Sequence, residues 1–386
     1  MKNYRYSALA VSVSLWCLSG AAHAAGFGIT VQSASGGGNA ATGHAMAEDA
    51  SAMWYNPALM SLVEGNQVNA GVSILGADLQ VQNAGSTGPS FLGSYAIDGS
   101  ASAEPAGVSA TPSMFYKRDI GVNKAFGLGV NIPFGVGTEY DSDSFARYEA
   151  TESSLATVNI NPAFSWRLNE KVALGAGINF QYGHAVLAKA IDSSLLCSGI
   201  EGFLQSQNPA ADANCSSIGG LSNDSGDTES SVEASGVAFG ANIGGAYKPN
   251  SGTTISVGYR SAVKYDMEGD VDFTHNDLLI AAIGNTAPAA VQAGGSAAIA
   301  AYSASVLAAS GYGDQDATAD LDLPASLSLA FAHEMTSKLT LHGDVTWTEW
   351  SSVPEIRIVF PDTALGDSVT DLQWDDTVRI GLGATY

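Results

Sequence analysis

The chain has 386 residues, 44 of them glycine, only 14% of them charged, and a formal net charge of -23 at pH 7. This acidity repels phosphates, so no nucleic-acid partner is predicted. Few charges and many small residues are expected of a β-barrel whose wall faces lipid and whose interior is lined by small side chains.

Residues 1–24 are predicted to be a secretory signal peptide. Lys2 and Arg5 precede an apolar run at 8–18, and Ala22-His23-Ala24 forms a small-residue cleavage site. The apolar run is too short for a membrane-spanning helix, which is the competing interpretation. The mature protein is therefore expected to be exported.

The next segment, residues 25–65, does not alternate like a strand and is predicted to be an N-terminal hatch. It starts with small residues at 33–39, is expected to be helical at about 45–52, and ends at Trp54-Tyr55-Asn56-Pro57-Ala58. A flexible leader is the alternative, but the apolar side chains near its end argue against that.

Residues 66–386 are predicted to form a transmembrane antiparallel β-barrel. Between 157 and 182, apolar residues alternate with small or polar ones, and five of them are predicted to face lipid: Val158, Ile160, Phe164, Leu174 and Ile178. Ten strands are predicted, at 66–82, 111–118, 124–138, 155–168, 171–190, 232–248, 252–269, 319–333, 337–351 and 373–386. A soluble β-sandwich shares the period of two. The connections, however, are alternately short and long, as periplasmic turns and outer loops are in barrels.

The long outer loops carry two further predictions. Cys197 and Cys215 lie in one polar loop of an exported chain, so we expect a disulfide, with two free thiols as the alternative. The loop at 270–318 has a charge-free region from 278 to 313. Pro288 and the glycines at 294–295 interrupt it, so two short helices over the barrel mouth are favoured over a membrane span.

No catalytic or metal-binding cluster is predicted. The histidines fall in different elements, and the loop that holds Cys197 and Cys215 offers no further Cys or His ligand. Four aspartates at 314, 316, 320 and 322 depart from the EF-hand spacing, so an acidic rim is favoured over a calcium site. No enzyme activity, cofactor or metal is therefore expected.

Several different short motifs are distributed along the predicted mature chain. They are Ala25-Gly26-Phe27, Glu48-Asp49-Ala50, Asn56-Pro57-Ala58, Asn131-Ile132-Pro133-Phe134-Gly135, Trp166-Arg167-Leu168-Asn169 and Arg379-Ile380-Gly381-Leu382-Gly383. In these motifs the chain resembles the FadL family of outer-membrane transporters for long-chain fatty acids and other hydrophobic compounds. The resemblance implies a barrel of 14 strands with an N-terminal hatch, an outer site built by loops, and a kinked third strand that opens the wall sideways.

The strand number departs from the family pattern. Only ten strands are visible, and family members continue past the segment that matches 373–386, so the chain is expected to be incomplete at its C-terminus. The opposing interpretation is a ten-stranded relative, because residues 378–386 alternate and end in the aromatic Tyr386, as a final barrel strand does.

Two sets of residues are predicted to act in gating. Asn56, Pro57 and Ala58 are expected to hold the hatch against the inner wall near the third-strand kink, and a simple turn is the alternative. The kink itself is assigned to Asn131, Pro133, Phe134 and Gly135. Pro133 has no N–H to donate to a strand partner, which allows either a harmless bulge or a break in pairing, and the resemblance favours a lateral opening.

The predicted function is passive transport of fatty acids or similar hydrophobic compounds across the outer membrane of a Gram-negative bacterium. The expected partners are these ligands, outer-membrane lipid and the barrel assembly machinery, and the protein is expected to be a monomer. Candidate ligand contacts are Phe27, Leu278, Leu279, Ile299, Val306 and Lys189. The alternatives are a porin for polar solutes, which needs neither hatch nor apolar loop, and an adhesin or phage-receptor role of the loops.

Overall fold

The computed structural model describes residues 26–39, 41–88, 95–215, 226–361 and 366–386, so the predicted signal peptide lies outside the described residues. These ranges contain the strands β1 Gln67–Gly76, β2 Val81–Gln82, β3 Thr87–Gly88, β4 Tyr95–Ala96, β5 Ser102–Ala103, β6 Val108–Gly121, β7 Lys124–Asn131, β8 Gly135–Glu139, β9 Glu152–Arg167, β10 Val172–Ile191, β11 Thr228–Asn250, β12 Thr253–Arg260, β13 Val263–Thr274, β14 Gln315–Leu323, β15 Ser326–Thr336, β16 Leu339–Thr348, β17 Glu355–Val359, β18 Ser368–Asp371 and β19 Thr377–Thr385.

Helices occupy the N-terminal segment and the long loops. The α-helices in the described ranges are α1 Ala34–Gly38, α2 Ala52–Tyr55, α3 Ser193–Gln207, α4 Asp277–Asn285, α5 Ala289–Gln292 and α6 Ser296–Ala309. Short 3₁₀ helices lie at Gly43–Ala45, Pro57–Ser61 and Trp350–Ser352. In the part of the chain that the structure describes, no helix is long and apolar enough to cross a membrane.

The wall is one antiparallel sheet. Among the described residues its hydrogen-bonded path has ten strands, in the order β1-β6-β7-β9-β10-β11-β12-β15-β16-β19. The strands β8, β13, β14, β17 and β18 join the same sheet beside this path. Within the described ranges β1 and β19 do not pair with each other. The predicted all-β class, an antiparallel barrel wall with helices in its long loops, is confirmed.

Several predicted boundaries are wrong because the wall strands are interrupted. The strand predicted at 252–269 breaks after Arg260, and the one predicted at 319–333 breaks at Pro324, which has no N–H for a ladder hydrogen bond. Between these two strands the pairing nevertheless resumes without a slip, because Arg260 lies opposite Ser326 and Val263 lies opposite Leu323. The register with β11 shifts by one residue across the same break. The loop predicted at 352–372 contains β17 and β18, and the first strand ends at residue 76 rather than 82.

The outward faces of the strands are apolar, as predicted. The side chains expected to face lipid are 41–53% exposed: Val158, Ile160, Phe164, Leu174 and Ile178. The alternate side chains, such as Asn159 and Gln181, are buried inside the wall. An exposed apolar belt over a hydrogen-bonded wall is the surface that a bilayer requires.

Replacing Ile178 by Arg should destabilise the barrel in membranes by about 2–4 kcal/mol, because a charge on the lipid face has to be taken out of water. Val122→Arg is the matched control, since Val122 lies in the short turn between β6 and β7 and is 87% exposed. The measurement is urea-dependent folding into lipid vesicles. An equal stability of the two variants would contradict the assignment of Ile178 to the lipid face.

Beyond the apolar belt, the outward face of the wall becomes acidic. Asp266 lies opposite Asp320, Asp270 lies opposite Asp316, and Asp270 also faces Glu233 on its other side. Carboxylates are excluded from hydrocarbon, so these strand ends project past the membrane. No cluster of three or more metal-ligating side chains occurs in the residues the structure describes.

The N-terminal segment, residues 26–65, lies inside the curve of the sheet. On β6, Lys117 is fully buried and its Nζ donates to Val63 O at 2.8 Å. On β19, an Arg379 nitrogen donates to Ala41 O at 3.1 Å. Because strands from both halves of the sheet order contact one short segment, the wall is curved around it. The helix expected at about 45–52 is wrong, since 3₁₀ and α turns flank that stretch instead.

The helices of two long loops form a core of their own. The Cys197–Cys215 disulfide is present, with the two Cα atoms 5.8 Å apart, which confirms the predicted pairing. It packs with apolar residues of α3, α4 and α6, including Leu196, Ile200, Leu279, Ile283, Val306 and Leu307. The charge-free region therefore forms three helices rather than the two expected, and its apolar faces are mostly covered.

Candidate functional site

The wall has a gap beside its third strand. Met114 on β6 pairs with Val130 on β7, and pairing resumes only at the isolated bridge between Ala106 and Thr138. Within the described residues, 107–113 and 131–137 make no strand pairs with each other. Backbone groups that are not paired across a wall leave a weak point, which is rare in a barrel.

The gap coincides with the kink predicted at Asn131, Pro133, Phe134 and Gly135. On the other side of the strand, Asn131 pairs with Asn159, and Gly135 pairs with Ala156, so the kinked strand holds one extra residue. This is the geometry of a β-bulge, which bends the strand and ends regular pairing.

The start of the N-terminal segment closes the kink from inside. Ile29 N donates to Pro133 O at 2.8 Å, and Gly135 N donates to Phe27 O at 3.0 Å. These bonds flank a bridge between Gly28 and Phe134. Residues 27–29 therefore supply the kinked strand with a partner on the lumenal side.

Gln32 adds a polar contact to the same region. Its Nε2 donates to Ile132 O at 2.7 Å, and its Oε1 accepts from Asn131 Nδ2 at 2.9 Å. The side chain is 3% exposed, so these bonds are shielded from water. Hydrogen bonds of buried side-chain amides fix one arrangement of the two segments that they join.

Four rings pack around the same contact, and we refer to Phe27, Phe134, Trp350 and Trp374 as the aromatic cluster. The Phe27 ring centroid lies 6.1 Å from Phe134, 5.1 Å from Trp350 and 5.5 Å from Trp374. Leu155, Tyr265, Met267, Leu321 and Leu323 belong to the same buried apolar set. The lumen therefore contains an apolar region next to the kink.

A cavity of about 130 Å³ adjoins the aromatic cluster. Its lining comes from the N-terminal segment, the kink and the opposite wall, and it includes Gly28, Ile29, Trp54, Tyr55, Pro57, Pro133, Phe134, Asn242, Arg260, Pro324, Trp350 and Arg379. A hydrophobic molecule in this cavity would therefore contact the segment, the kink and the aromatic cluster at once.

Asn56 and Pro57 fix the deeper part of the segment. The buried Asn56 amide accepts from Ala58 N at 2.9 Å and donates to Gly245 O at 3.3 Å and Val257 O at 3.1 Å. Pro57 begins the 3₁₀ helix that follows. The wall partners of Asn56 lie on β11 and β12, whereas residues 27–32 contact the kink directly.

The candidate ligand contacts do not form one site. Leu279 and Val306 are buried in the core of the loop helices, and Ile299 packs against Gly284 there. Leu278 is exposed on α4, and Lys189 is exposed near the loop end of β10. Only Phe27 lies beside the cavity region, within the aromatic cluster.

Sequence reasoning missed several residues that line this region. Trp350 and Trp374 lie outside the strands, although both were predicted to be strand residues. Only the tertiary fold brings them to Phe27. Arg260 was also missed, although an arginine in an otherwise alternating apolar strand is a visible signal. Its Cζ lies 3.7 Å from the Trp54 ring centroid.

Comparison with known proteins extends these observations. The family model described as outer membrane protein transport protein (OMPP1/FadL/TodX) matches residues 15–386. Outer membrane protein P1 of Haemophilus influenzae is 27% identical over 100% of this chain and 78% of its own length. The long-chain fatty acid transport protein of Escherichia coli is 27% identical over 98% of this chain and 77% of its own length.

Two solved structures share the fold. A FadL homologue of Pseudomonas aeruginosa has a TM-score of 0.69 and 21% identity, and covers 93% of this chain and 77% of its own. The toluene transporter TbuX of Ralstonia pickettii has a TM-score of 0.59 and 19% identity, over 93% of this chain and 82% of its own. This chain thus spans between about three quarters and four fifths of the length of the proteins it resembles.

Proposed function

Because the chain belongs to the OMPP1/FadL/TodX family of outer membrane transport proteins, we propose that it passes long-chain fatty acids or similar hydrophobic compounds across the outer membrane through the gap in its wall. Members of this family are transport channels of Gram-negative outer membranes, not enzymes. The protein itself is an outer-membrane barrel that crosses the bilayer repeatedly.

The observation that supports this route is the contact between residues 27–29 and the kink. A hydrophobic molecule gains about 0.8 kcal/mol for each CH₂ group it buries, so it moves readily between apolar surfaces but not through water. The aromatic cluster offers such a surface next to the gap. The segment has to leave the kink before the molecule can pass sideways into the bilayer.

In this mechanism the hatch and the ligand compete for the space beside the kinked strand. Ligand in the cavity would favour the state in which the segment is displaced, provided that it binds this state more tightly than the closed one. The hydrogen bonds of Asn56 would keep the deeper part of the hatch on the wall. A water-filled porin is less favoured, because residues 26–65 fill the lumen beside the wall. Insertion by the barrel assembly machinery and a monomeric state stay predictions.

A reversible cross-link tests the proposal. Gly28 and Phe134 form the bridge whose flanking bonds are Ile29 N to Pro133 O and Gly135 N to Phe27 O, so they are a non-hydrogen-bonded antiparallel pair. Such pairs have Cα atoms about 4.5 Å apart, within the range of a disulfide. Gly28→Cys with Phe134→Cys should therefore form a bond that fixes the segment on the kink.

The expected result is that oxidised double-variant protein assembles but imports neither radiolabelled dodecanoic acid nor dodecane, and that reductant restores uptake. Each single cysteine variant, given the same treatment, is the control for the lost Phe134 packing and for effects on the native disulfide. Normal uptake by the fully oxidised double variant would show that the segment does not have to leave the kink.

A further inference from the structure

The two ends of the wall differ in charge. Short turns join β6 to β7, β9 to β10, β11 to β12 and β15 to β16, and the cations of these turns and strand ends are Lys117, Arg118, Lys124, Arg167, Lys171, Lys248 and Lys338. The acids of the same turns and strand ends are Asp119, Glu170 and Glu334. At the other end the outward face is acidic, as is the chain as a whole. The excess of cations is therefore local, and it lies at the periplasmic edge of the wall.

Two of these cations, Arg118 on β6 and Lys124 on β7, lie on the outward face of the wall. Arg118 pairs with Phe126, and Lys124 pairs with Trp166. Residues opposite each other on paired strands share a face, and these two aromatic side chains are 37% and 46% exposed on the apolar belt. Lys124 is two residues from Phe126 along β7, so the two cations are diagonal neighbours at the edge of the belt.

Neither cation has an acidic partner. None of the ion pairs among the described residues includes Arg118 or Lys124. The adjacent acid, Asp119, instead pairs with Lys117, which is fully buried. Lys124 Nζ lies 5.4 Å from the Trp166 ring centroid, which is a cation–π contact. Two neighbouring cations that repel each other are thus available to an anion at the level where lipid headgroups begin.

We propose that Arg118 and Lys124 bind the headgroup of an anionic phospholipid in the periplasmic leaflet of the membrane. The guanidinium fork matches a phosphate, and the lysine ammonium adds a compact second charge. Trp166 stands at the depth where an indole ring is favourable, between headgroups and hydrocarbon. Phe126 pairs with Phe164 further into the belt, and both rings are exposed to the acyl chains.

The charge of the site favours an anionic headgroup over a zwitterionic one. A zwitterionic lipid such as phosphatidylcholine carries an ammonium of its own, which offsets the attraction of its phosphate to two cations. Phosphatidylglycerol has no such group, so it neutralises the pair. This inference does not depend on the transport proposal, because lipid binding and solute uptake are separate measurements and either can fail alone.

A general attraction of the whole basic edge for anionic lipid is the competing explanation. Lys248 and Lys338 separate the two explanations, because they lie near other short turns and also belong to none of the ion pairs among the described residues. Lys248→Gln with Lys338→Gln therefore removes the same charge from the same edge. It leaves Arg118 and Lys124 in place.

The test is native mass spectrometry of the full-length protein, released from micelles that contain equal amounts of phosphatidylglycerol and phosphatidylcholine with identical acyl chains. The unmodified protein should retain phosphatidylglycerol preferentially. In Arg118→Gln with Lys124→Gln this preference should fall roughly 10- to 30-fold, the effect of two cations near an anionic lipid surface. In Lys248→Gln with Lys338→Gln it should stay within about 3-fold.

Arg118→Lys with Lys124→Arg keeps both charges and should keep the preference, and a heat-modifiable gel shift checks that each variant is folded. An equal loss in the two glutamine double variants would show general attraction and overturn the site. So would an unmodified protein that retains both lipids equally. Release of phosphatidylglycerol by inorganic phosphate, but not by chloride of equal ionic strength, would show a site for free phosphate and overturn the assignment to lipid.

Discussion

Adding a single methyl group at Gly175 should displace the hatch and make the barrel leak. Gly175 lies on β10 with its face toward the N-terminal segment, and a Cβ atom there would lie 2.4 Å from Ala58 N and 2.4 Å from the carbonyl carbon of Pro57. Both neighbours are backbone atoms, so neither can rotate away as a flexible side chain would. Overpacking of this kind typically costs about 1–3 kcal/mol.

The wall itself should tolerate this change. Alanine is easier than glycine to hold in a strand, by roughly 0.5–1 kcal/mol, so Gly175→Ala should not weaken β10 locally. The cost in free energy should therefore arise at the contact between the hatch and the wall. Asn56 holds the same stretch through hydrogen bonds to β11 and β12, and Ser165 donates to the Ala58 carbonyl. Displacement of the hatch would distort these hydrogen bonds.

The measurement is single-channel conductance of the purified variant in planar bilayers, together with the sensitivity of cells to vancomycin. Gly245→Ala is the matched control, because a Cβ atom there meets only Leu174 and Val257, both at 3.7 Å. Gly175→Ala should show enlarged conductance with a normal heat-modifiable gel shift, and Gly245→Ala should show neither change. A closed, normally assembled Gly175→Ala barrel would contradict the proposed tight seating of the hatch.

Replacing Arg147 by Met should loosen the outer loops by about 3–5 kcal/mol, the usual cost of removing one partner of a buried ion pair. Arg147 is 1% exposed, and its Nε donates to Asp227 at 2.7 Å. One of its terminal nitrogens also donates to Asp98 O at 2.6 Å. The side chain thus ties together three loops near the outer ends of the strands.

The cost arises from the carboxylate that the substitution leaves behind. Burial raises the pKa of Asp227 even though Arg147 and Tyr148 donate to it, so desolvation already disfavours the ionised form. A raised pKa in the folded state means that ionisation at neutral pH opposes folding, and protonation at low pH relieves it. The loss of loop stability in Arg147→Met should therefore be smaller at pH 4 than at pH 8.

Limited chymotrypsin digestion of the outer loops at the two pH values, with protease activity calibrated on an unfolded substrate, measures this local opening. Arg357→Met is the control, because Arg357 forms exposed pairs with Glu355 and Asp367 and should change the digestion rate little. Equal digestion of both variants would show that the Arg147 pair does not hold the loops together.

The wall could be predicted because its signal is local. Alternation around Ile178 follows from the pleat of a single strand, and the missing N–H of Pro133 marks the kink without knowledge of its neighbours. The break at Pro324 carried the same signal and was missed, since the apolar pattern continues across it. The pairing of Cys197 with Cys215 was predictable because the two lie in one loop of an exported chain.

The lumen could not be predicted in the same way. Phe27 meets Trp350 only because the sheet curves, and the carbonyls that receive the Asn56 amide lie about 200 residues away in the chain. Burial of Leu279 and Val306 depends on α3, a helix from another loop. Contacts between distant segments leave no periodic trace in the sequence, so residue roles that depend on them require the tertiary structure.

The interruption at 261–262 and 324–325 bears on how such barrels diversify. Arg260 with Ser326 and Val263 with Leu323 keep one alignment across it, so the part of the hairpin between residues 263 and 323, the outer hairpin, continues the alignment of the membrane part. Its first strand, β13, also pairs with β11. Its acidic strands and helices can be lengthened, shortened or exchanged by paired changes without turning any lipid-facing side chain inward. Selection on the cell surface can therefore act on the outer hairpin while the membrane wall retains its alignment.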